Sequence, residues 1–377
     1  MKTFFKLMGI SLLALSLVGC SNAKTDTGKT SPKDTDKQEA TASDTGYVAL
    51  VTDFGNIDDK SFNQASWEGI TAFTKKSNYK KDFYRAELQE NVDARNDALE
   101  KAITAGADVL VCPGYLFETN IYDIQTKHKD KSIILIDAEP KDPSGNVKAE
   151  SNVYSVLYKE EEAGYLAGYS AVMEGYTKLG FLGGLDIPPI KAFGYGFVQG
   201  AEAAAKKLAL PAGALQINYK YAGGFAPTTQ LTTDMNVWYA TGTQVIFSCG
   251  GGIVSSVIEA AGTDPNRKII GVDVDQSNLS ENIIFSALKG IANSVQLALD
   301  AFDANGKKFP ADMGGKTAYL GLAEDCVGLS ATEGSWRMTK FTIDQYNALI
   351  TELKTTKPVI SRDTLPALVH TKVIEQK

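Results

Sequence analysis

Short apolar runs alternate with amphipathic segments along most of the chain. Residues 47–52 are apolar and partly β-branched, as expected of a strand buried on both faces, and this run stops at Asp53. From Ser61 onward, apolar residues recur at helical spacing. Further strands are predicted, with helical patterns between them, at residues 108–112, 132–136, 152–157, 178–182, 215–221, 244–248, 268–272 and 283–286. This alternation predicts an α/β fold in which helices cover both faces of parallel sheets.

The alternation runs through two halves of similar build, which predicts two lobes with a cleft between them. Beyond Asp273 the chain is expected to cross back, with a strand leading into Lys289, a helix over residues 292–302 and a returning segment over 317–322 and at Val327. Periodicity alone does not assign these late strands to one lobe or the other. The last helical pattern covers residues 343–353.

The first residues have the character of an export signal. Lys2 and Lys6 precede an apolar run over residues 8–18, which is too short to span a bilayer as a helix. Leu17-Val18-Gly19-Cys20 resembles a bacterial lipobox, and the resemblance implies cleavage before Cys20 and diacylation of its thiol. An ordinary signal with an incidental cysteine is the alternative. Residues 1–19 are therefore predicted to be a lipoprotein signal peptide, and the polar residues 20–45 a disordered tether.

Composition narrows the possible functions. The 377 residues are enough for two domains, and a net charge of −7 with no basic run argues against nucleic acid as a partner. With Cys20 assigned to lipid, we interpret Cys112, Cys249 and Cys326 as small buried hydrophobic residues. The chain has only two histidines, which argues against a histidine zinc site or a Ser-His catalytic pair. No metal and no cofactor are predicted.

Candidate site residues lie at the carboxyl ends of the predicted strands. Because these ends share one edge of a parallel sheet, ligands bind there. The residues at the ends are Asp53, Gly114, Asp137, Gly184, Phe225, Gly251 and Asp273, with Phe62, Asn63 and Lys289 close behind their strands. Two phenyl rings can stack on a flat heterocycle, and carboxylates accept from hydroxyls. Several carboxylates against one cation disfavour phosphates, so the set predicts a nucleoside rather than a nucleotide.

Structural explanations compete with this interpretation. A strand-end aspartate can be only a helix cap, and Phe62 or Phe225 can be part of the core. Asp58 and Asp59 suit the positive end of a helix dipole whether or not a ligand binds nearby. Gly250-Gly251-Gly252 could be taken for a phosphate cradle, but it lacks the Lys-Ser/Thr of a P-loop, so a tight turn is the preferred interpretation.

Several blocks of the sequence resemble one known family. VTDFGNIDDKSFNQASWEG (residues 51–69), GGLDIPPIKAF (183–193), YAGGF (221–225), IGVDVDQ (270–276) and SALK (286–289) are similar to successive blocks of the basic membrane protein family. Its members are lipoprotein substrate-binding components of ABC importers, related to a purine nucleoside receptor. The resemblance implies a two-lobed type I periplasmic-binding-protein fold, in which each lobe is a parallel sheet flanked by helices and three strands form the hinge. Residues 46–154 plus 284–325 would form the N-terminal lobe, and 155–283 plus 326–377 the C-terminal lobe.

The resemblance also implies a role for each candidate. Phe62 and Phe225 would stack on the base, Asn63 and Asp137 would read its edge, and Asp273 and Lys289 would hold the ribose. A backbone contact near Gly251 and the first-strand carboxylate Asp53 would complete the site. The sequence departs from the family pattern at Pro113-Gly114-Tyr115, at residues 226–229 and at Cys249.

The implied function is capture of a purine nucleoside by a protein that is lipid-anchored on the outer face of a bacterial cell membrane. The ligand would then pass to the membrane subunits of an ABC permease. Two other functions stay open from the residues alone. One is a surface adhesin or sensor lipoprotein with no transport role, and the other is an enzyme that acts on nucleosides through the cleft carboxylates.

Overall fold

The computed structural model describes residues 45–86 and 91–376. The predicted signal peptide, Cys20 and nearly all of the predicted tether lie outside the described residues. None of the helices in the described ranges has the length and apolar character needed to cross a membrane.

Strands and helices alternate along the described chain. The strands are β1 (Gly46–Thr52), β2 (Tyr79–Arg85), β3 (Val109–Pro113), β4 (Ser132–Ile136), β5 (Val153–Tyr158), β6 (Lys178–Gly183), β7 (Leu215–Tyr221), β8 (Val245–Cys249), β9 (Lys268–Asp273), β10 (Ile283–Lys289), β11 (Lys316–Leu320), β12 (Val327–Leu329) and β13 (Thr371–Glu375). The helices are α1 (Phe62–Thr74), α2 (Val92–Thr104), α3 (Glu118–Lys127), α4 (Glu160–Glu174), α5 (Pro188–Lys207), α6 (Thr229–Ala240), α7 (Val254–Ala261), α8 (Ile291–Ala304) and α9 (Ile343–Thr356).

The strands form two sheets. The first has the order β11-β5-β4-β3-β1-β2, and all its pairings are parallel. The second has the order β12-β10-β9-β8-β6-β7-β13, and only the β10–β12 pair is antiparallel. We call each sheet with the helices packed on it a lobe, the first and the second. The predicted α/β class with two lobes is confirmed.

The central strands are buried on both faces, which is why they read as continuous apolar runs. Every residue of β1, β3, β4 and β8 is buried. The helices present one apolar face to a sheet, as α1 does with Ala65, Ile70 and Phe73. This burial supplies the main driving force for folding of each lobe.

Within residues 45–86 and 91–376 the chain crosses between the lobes three times, after β5, after β10 and between β11 and β12. These positions differ from the sequence-based boundaries at 154 and 283. β5 continues to Tyr158 within the first sheet, and all of β10, from Ile283 to Lys289, belongs to the second. Both strands are mostly apolar and mostly buried along their length, so the apolar pattern does not mark where the chain changes lobe.

Two strands were missed by the sequence analysis. β2 has the sequence YKKDFYR, and four of its seven residues are exposed. β13 is likewise only partly buried. Both lie at sheet edges, where charged side chains are normal, so neither shows the apolar run that marks a central strand.

Helices α4 and α5 pack unusually closely because glycines face each other across the contact. A Cβ on Gly164 or Gly168 would overlap the carbonyl oxygen of Phe193 or Phe197, and a Cβ on Gly196 or Gly200 would overlap the backbone of α4. α4 begins directly after the first crossing, and α5 carries Phe193 to the space between the lobes. The glycine contact therefore fixes the position of a cleft side chain relative to the hinge.

Gly168→Ala is expected to lower the free energy of unfolding, because the added methyl overlaps a backbone oxygen and pushes α4 away from α5. We expect a loss of about 2–3 kcal/mol from overpacking, larger than the gain of about 1 kcal/mol that alanine brings to a helix interior. Urea unfolding measures the change. Gly334→Ala is the matched control, since its Cβ would meet nothing within 4 Å. Equal stability of the two variants would contradict the packing argument.

Candidate functional site

A cavity of about 380 Å³ lies between the lobes, where the carboxyl ends of strands from both sheets face each other. The structure brings all eight ligand-binding candidates from the sequence to this cavity: Asp53, Phe62, Asn63, Asp137, Phe225, Gly251, Asp273 and Lys289. Gly114 also lines it. They lie at the cavity because each is at, or shortly after, the carboxyl end of a strand. Their roles in binding stay predictions.

Lys289 is buried in an ion cluster that joins the lobes. Its Nζ lies 2.5 Å from Asp137 Oδ2, at the end of β4, and 3.2 Å from Glu160 Oε1, at the start of α4. The side chains of Lys289, Asp137 and Glu160 are 3%, 6% and 2% exposed. Arg362 reaches the second oxygen of Glu160 at 3.3 Å. Each buried charge in this cluster therefore has an opposite charge beside it, which offsets the cost of burial.

The carboxylates determine the charge state of the cluster. Burial opposes the charge of Lys289, but Asp137, Glu160 and Asp273 outweigh it and raise the pKa of the ammonium above its usual value. Burial also raises the pKa of Glu160 to about 8, against the opposing effect of Lys289. The ammonium of Lys289 therefore stays charged, and the carboxyl group of Asp137, at 2.5 Å, is its nearest acidic partner.

Three aromatic rings surround the same ammonium. Lys289 Nζ lies 5.0 Å from the ring centroids of both Phe62 and Tyr158 and 5.7 Å from that of Phe193. A cation this close to a ring face is attracted by the ring quadrupole. Phe62 therefore borders both the cavity and the ion cluster, and its ring is only partly buried rather than enclosed in the core.

Asp273 is held by a residue of the opposite lobe. Ser61 Oγ donates to Asp273 Oδ2 at 2.5 Å. Burial raises the pKa of Asp273 to about 6, although Lys289 and the Ser61 hydroxyl favour the carboxylate. Asp273 and Asp137 also share a left-handed backbone, with φ of 65° and 64°. Backbone conformations of this kind cluster at ligand-binding sites, because they direct a side chain away from the path of its strand.

The amino end of α1 is capped from within the chain. The Asp59 carboxylate accepts hydrogen bonds from the backbone N–H groups of Ser61, Asn63 and Gln64, at 3.0, 3.0 and 3.1 Å. Asp59 is therefore an acidic residue at the amino end of α1, as the sequence predicted. Its carboxylate occupies the N–H groups that would otherwise attract a phosphate.

Two buried oxygens in the cavity have no hydrogen-bond partner among the described residues, Asn63 Oδ1 and Asp137 Oδ1. Asn63 is 4% exposed and Asp137 7%. The Asn63 amide nitrogen donates to Phe54 O at 2.8 Å, which leaves the oxygen as an acceptor. Buried acceptors normally find donors, because leaving one unpaired costs roughly 1–3 kcal/mol. The cavity therefore suits a ligand that carries N–H or O–H groups.

Asp53 lines the cavity at the end of β1 and is held there by the backbone. Its Oδ2 accepts from Leu116 N at 3.2 Å, and burial raises its pKa to about 7. Gly114 has φ of 139°, and a Cβ there would overlap the Asp53 carboxylate. Glycine is thus required at 114 both by its backbone angle and by the approach of Asp53.

Phe225 enters the cavity from the second lobe. Its ring packs against Gly184, where a Cβ would overlap it, and contacts Phe54 of the first lobe edge-to-face at 5.7 Å. Phe62 and Phe225 thus come from different lobes and line the same space. Stacking of a ligand between them stays a prediction.

Sequence reasoning did not identify part of the apolar lining of the cavity. It also did not identify the buried residues that contact the polar site residues. The lining residues not predicted include Phe54, Leu116, Ile187, Pro189, Ile190 and Phe193. Their only signal was position: residues 187–189 precede or open α5. Ser61 and Glu160 look like an ordinary helix cap and an ordinary acidic first turn, so their sequence context gives no reason to single them out.

Comparisons of the sequence identify known proteins that are similar to this chain. The family model described as ABC transporter substrate-binding protein PnrA-like matches residues 47–361. A CD4+ T-cell-stimulating antigen of Listeria innocua is 28% identical over 335 residues, which cover 84% of this chain and 89% of the antigen. An ABC transporter nucleoside-binding protein, BmpA, of Lactococcus lactis subsp. cremoris is 28% identical over 243 residues, which cover 62% of this chain and 65% of BmpA.

A solved structure shows the same architecture. The crystal structure of an ABC transporter system solute-binding protein from Aeropyrum pernix superimposes with a TM-score of 0.66 at 22% identity, covering 84% of this chain and 88% of that one. At this identity the likeness establishes the fold alone. The predicted two-lobed type I periplasmic-binding-protein fold is confirmed.

Stability of the ligand-free protein is expected to fall as pH rises from about 4 to 7. Asp53 and Asp273 have folded-state pKa values of about 7 and about 6, above the ordinary 3.8, so within this window the folded state binds more protons than the unfolded state. Ionising these carboxyls therefore favours unfolding. Urea midpoints at a series of pH values measure the slope.

Asp53→Asn keeps an acceptor for Leu116 N but removes the titrating group, so the slope should become shallower. Asp123→Asn, at an exposed position on α3, is the control. Identical slopes in the two variants would show that Asp53 does not titrate as its burial implies.

Proposed function

The chain belongs to the family of PnrA-like ABC transporter substrate-binding proteins, and from this premise we propose that it captures purine nucleosides in the cavity between its lobes and delivers them to an ABC permease. The observation that carries the proposal is the combination, in one cavity, of phenyl rings from both lobes with the unpaired buried acceptors Asn63 Oδ1 and Asp137 Oδ1. A purine offers flat faces to the rings and N–H donors to the acceptors. The name of the Lactococcus lactis relative, a nucleoside-binding protein, agrees with this ligand class.

The ribose would be held by Asp273 and Lys289. An ionised carboxylate has about four acceptor positions, and Asp273 uses one of them for Ser61. A single carboxylate can therefore accept from two neighbouring ribose hydroxyls. An ammonium has three donors, and Lys289 directs two of them to Asp137 and Glu160, which leaves a third for a ligand oxygen.

Charge favours a nucleoside over a nucleotide. The cation lining the inner cavity, Lys289, is surrounded by Asp137, Glu160 and Asp273, and the amino end of α1 is occupied by Asp59. A phosphate would add negative charge beside several carboxylates, and Lys60 is the one further cation among the described lining residues that could offset it. The cavity volume of about 380 Å³ lies at the small end of the range for ligand sites, roughly 300–1,000 Å³.

The membrane anchor is the second part of the proposal. The lipobox-like sequence ending in Cys20 supports diacylation of this residue, and two acyl chains give durable attachment to a membrane. Attachment at the outer surface of the cell membrane would keep the loaded protein close to the permease. Closure of the lobes over the ligand would supply the form that the permease recognises.

No specific contact favours either alternative from the sequence. The family is one of binding proteins, so neither an enzyme nor an adhesin is proposed. Incubation of the protein with guanosine, followed by chromatography for free guanine, tests for a nucleoside-cleaving activity directly.

Isothermal titration calorimetry is expected to show binding of guanosine, inosine and adenosine, with ribose and guanosine monophosphate at least about 100-fold weaker. Phe62→Ala should weaken nucleoside binding by roughly 5- to 150-fold through loss of stacking worth about 1–3 kcal/mol per base. Asp273→Asn should weaken it by roughly 10- to 100-fold through loss of charge-assisted hydrogen bonds.

Phe83→Ala provides the matched control for Phe62→Ala. Phe83 is 38% exposed on β2, contacts Trp67 and lies outside the cavity lining, so its loss should leave affinity unchanged. Unchanged affinity in both Phe62→Ala and Asp273→Asn would place the ligand elsewhere. Monophosphate binding as tight as nucleoside binding would contradict the charge argument.

Cys20→Ser is expected to move the protein from the membrane fraction of its bacterial host to the soluble or secreted fraction, because the thiol that carries the lipid is lost. Cys326→Ser, at a partly buried position in the folded lobes, is the control and should stay with the membrane. Fractionation and immunoblotting measure the distribution. Retention of Cys20→Ser in the membrane would contradict the anchor.

A further inference from the structure

Ser61 occupies the N-cap position of α1 but does not cap its own helix. Serine is favoured at this position because its hydroxyl oxygen accepts a hydrogen bond from a first-turn N–H. Here Asp59 accepts those hydrogen bonds, and the buried Ser61 hydroxyl instead donates to Asp273 of the second lobe at 2.5 Å. The usual reason for a serine at an N-cap is therefore absent, and its contact lies across the cleft.

A second contact between the lobes lies directly beside the first. Gln276 Nε2 donates to the carbonyl oxygen of Lys60 at 2.9 Å. Gln276 is 1% exposed and is fixed within the second lobe, since its Oε1 accepts from Val272 N and its own N–H donates to Ser286 Oγ, both at 3.0 Å. The donor that points to the first lobe is thus held in place before the lobes meet.

The backbone of Lys60 is unusual in a way that fits these contacts. Lys60 has φ of 60°, in the left-handed region that residues other than glycine seldom adopt. It lies between the capping residue Asp59 and the cross-cleft donor Ser61. Strained residues of this kind persist where surrounding contacts determine them, and cluster at ligand clamps. Residues 60 and 61 both contact the segment from Asp273 to Gln276.

We propose that Ser61 and Gln276 form a latch that holds the two lobes closed over the ligand. Asp273 belongs both to the latch and to the ribose site, so the ligand and the closing contact meet on one carboxylate. The inference rests on the proposed function only in assuming that the cavity takes up a ligand. Ser61 and Gln276 act as positioning residues in this arrangement, because neither needs to touch the ligand.

The latch has a kinetic consequence. Ser61 and Gln276 can reach their partners only when the lobes are closed, so their hydrogen bonds stabilise the closed form alone. Release of the ligand requires opening, which breaks both bonds, whereas entry into the open form breaks neither. Removing the latch should therefore accelerate dissociation and leave association nearly unchanged.

Stopped-flow measurements with guanosine on the full chain test this. Ser61→Ala should increase the dissociation rate about tenfold, as expected for loss of a hydrogen bond to a charged group, and leave the association rate within about twofold. Ser61→Thr keeps the hydroxyl and should stay within about threefold of the parent. Ser66→Ala is the matched control, because this buried serine of the same helix donates only to Phe62 O, at 3.0 Å.

A second measurement needs no ligand. Gln276→Glu keeps the acceptor for Val272 N but removes the donor to Lys60 O, so the double variant with Ser61→Ala lacks both cross-cleft donors. Small-angle X-ray scattering of the ligand-free chain should give a larger radius of gyration for this double variant than for Ser66→Ala.

The outcomes separate the latch from the identity of the ligand. An increase in either the dissociation rate or the radius, relative to Ser66→Ala, supports the latch. Dissociation rates and radii that both equal those of Ser66→Ala overturn it. If the parent protein binds no guanosine, the proposed ligand is wrong, and the comparison of radii alone then decides the latch.

Discussion

The arrangement of the cavity depends on a single buried ammonium. Lys289 ends β10 in the second lobe, yet its partners are Asp137 of the first lobe and Glu160 at the first crossing. A lysine that is 3% exposed is tolerated only where opposite charges lie beside it, and removing one partner of such a pair typically costs about 3–5 kcal/mol. The requirement to neutralise Lys289 therefore brings strand ends from the two lobes together. It also favours the neutral ligand proposed above.

The backbone conformation at the strand ends determines how the aspartates are placed in the cavity. Asp137 and Asp273 each leave their strand in a left-handed conformation, while Gly114 leaves room for Asp53. Packing elsewhere in the molecule offsets the free-energy cost of these backbone conformations. The close contact of α4 with α5, the helix that carries Phe193, is part of this packing. A binding protein requires rigid lobes with strained residues at the strand ends, since its ligand contacts must be in place before the lobes close.

The sequence was sufficient to predict the candidate site residues that lie at the ends of strands. The apolar runs locate β1, β4 and β9, and Asp53, Asp137 and Asp273 follow because parallel strands share one edge. It could not predict that Ser61 contacts the opposite lobe, because a serine at a helix start has a sufficient local explanation. The crossings were misplaced by several residues because a strand buried on both faces has the same pattern whichever sheet it joins.

The interleaved order of the strands bears on when the chain can fold during its synthesis. The first sheet gains its edge strand β11 only at residues 316–320, and the second gains β13 only at 371–375. Most of the polypeptide has therefore left the ribosome before either lobe can assemble all its strands, and long-range pairings of this kind form slowly. A chain that cannot complete either sheet until late in synthesis stays unfolded for longer, which would suit the export that the proposed anchor requires.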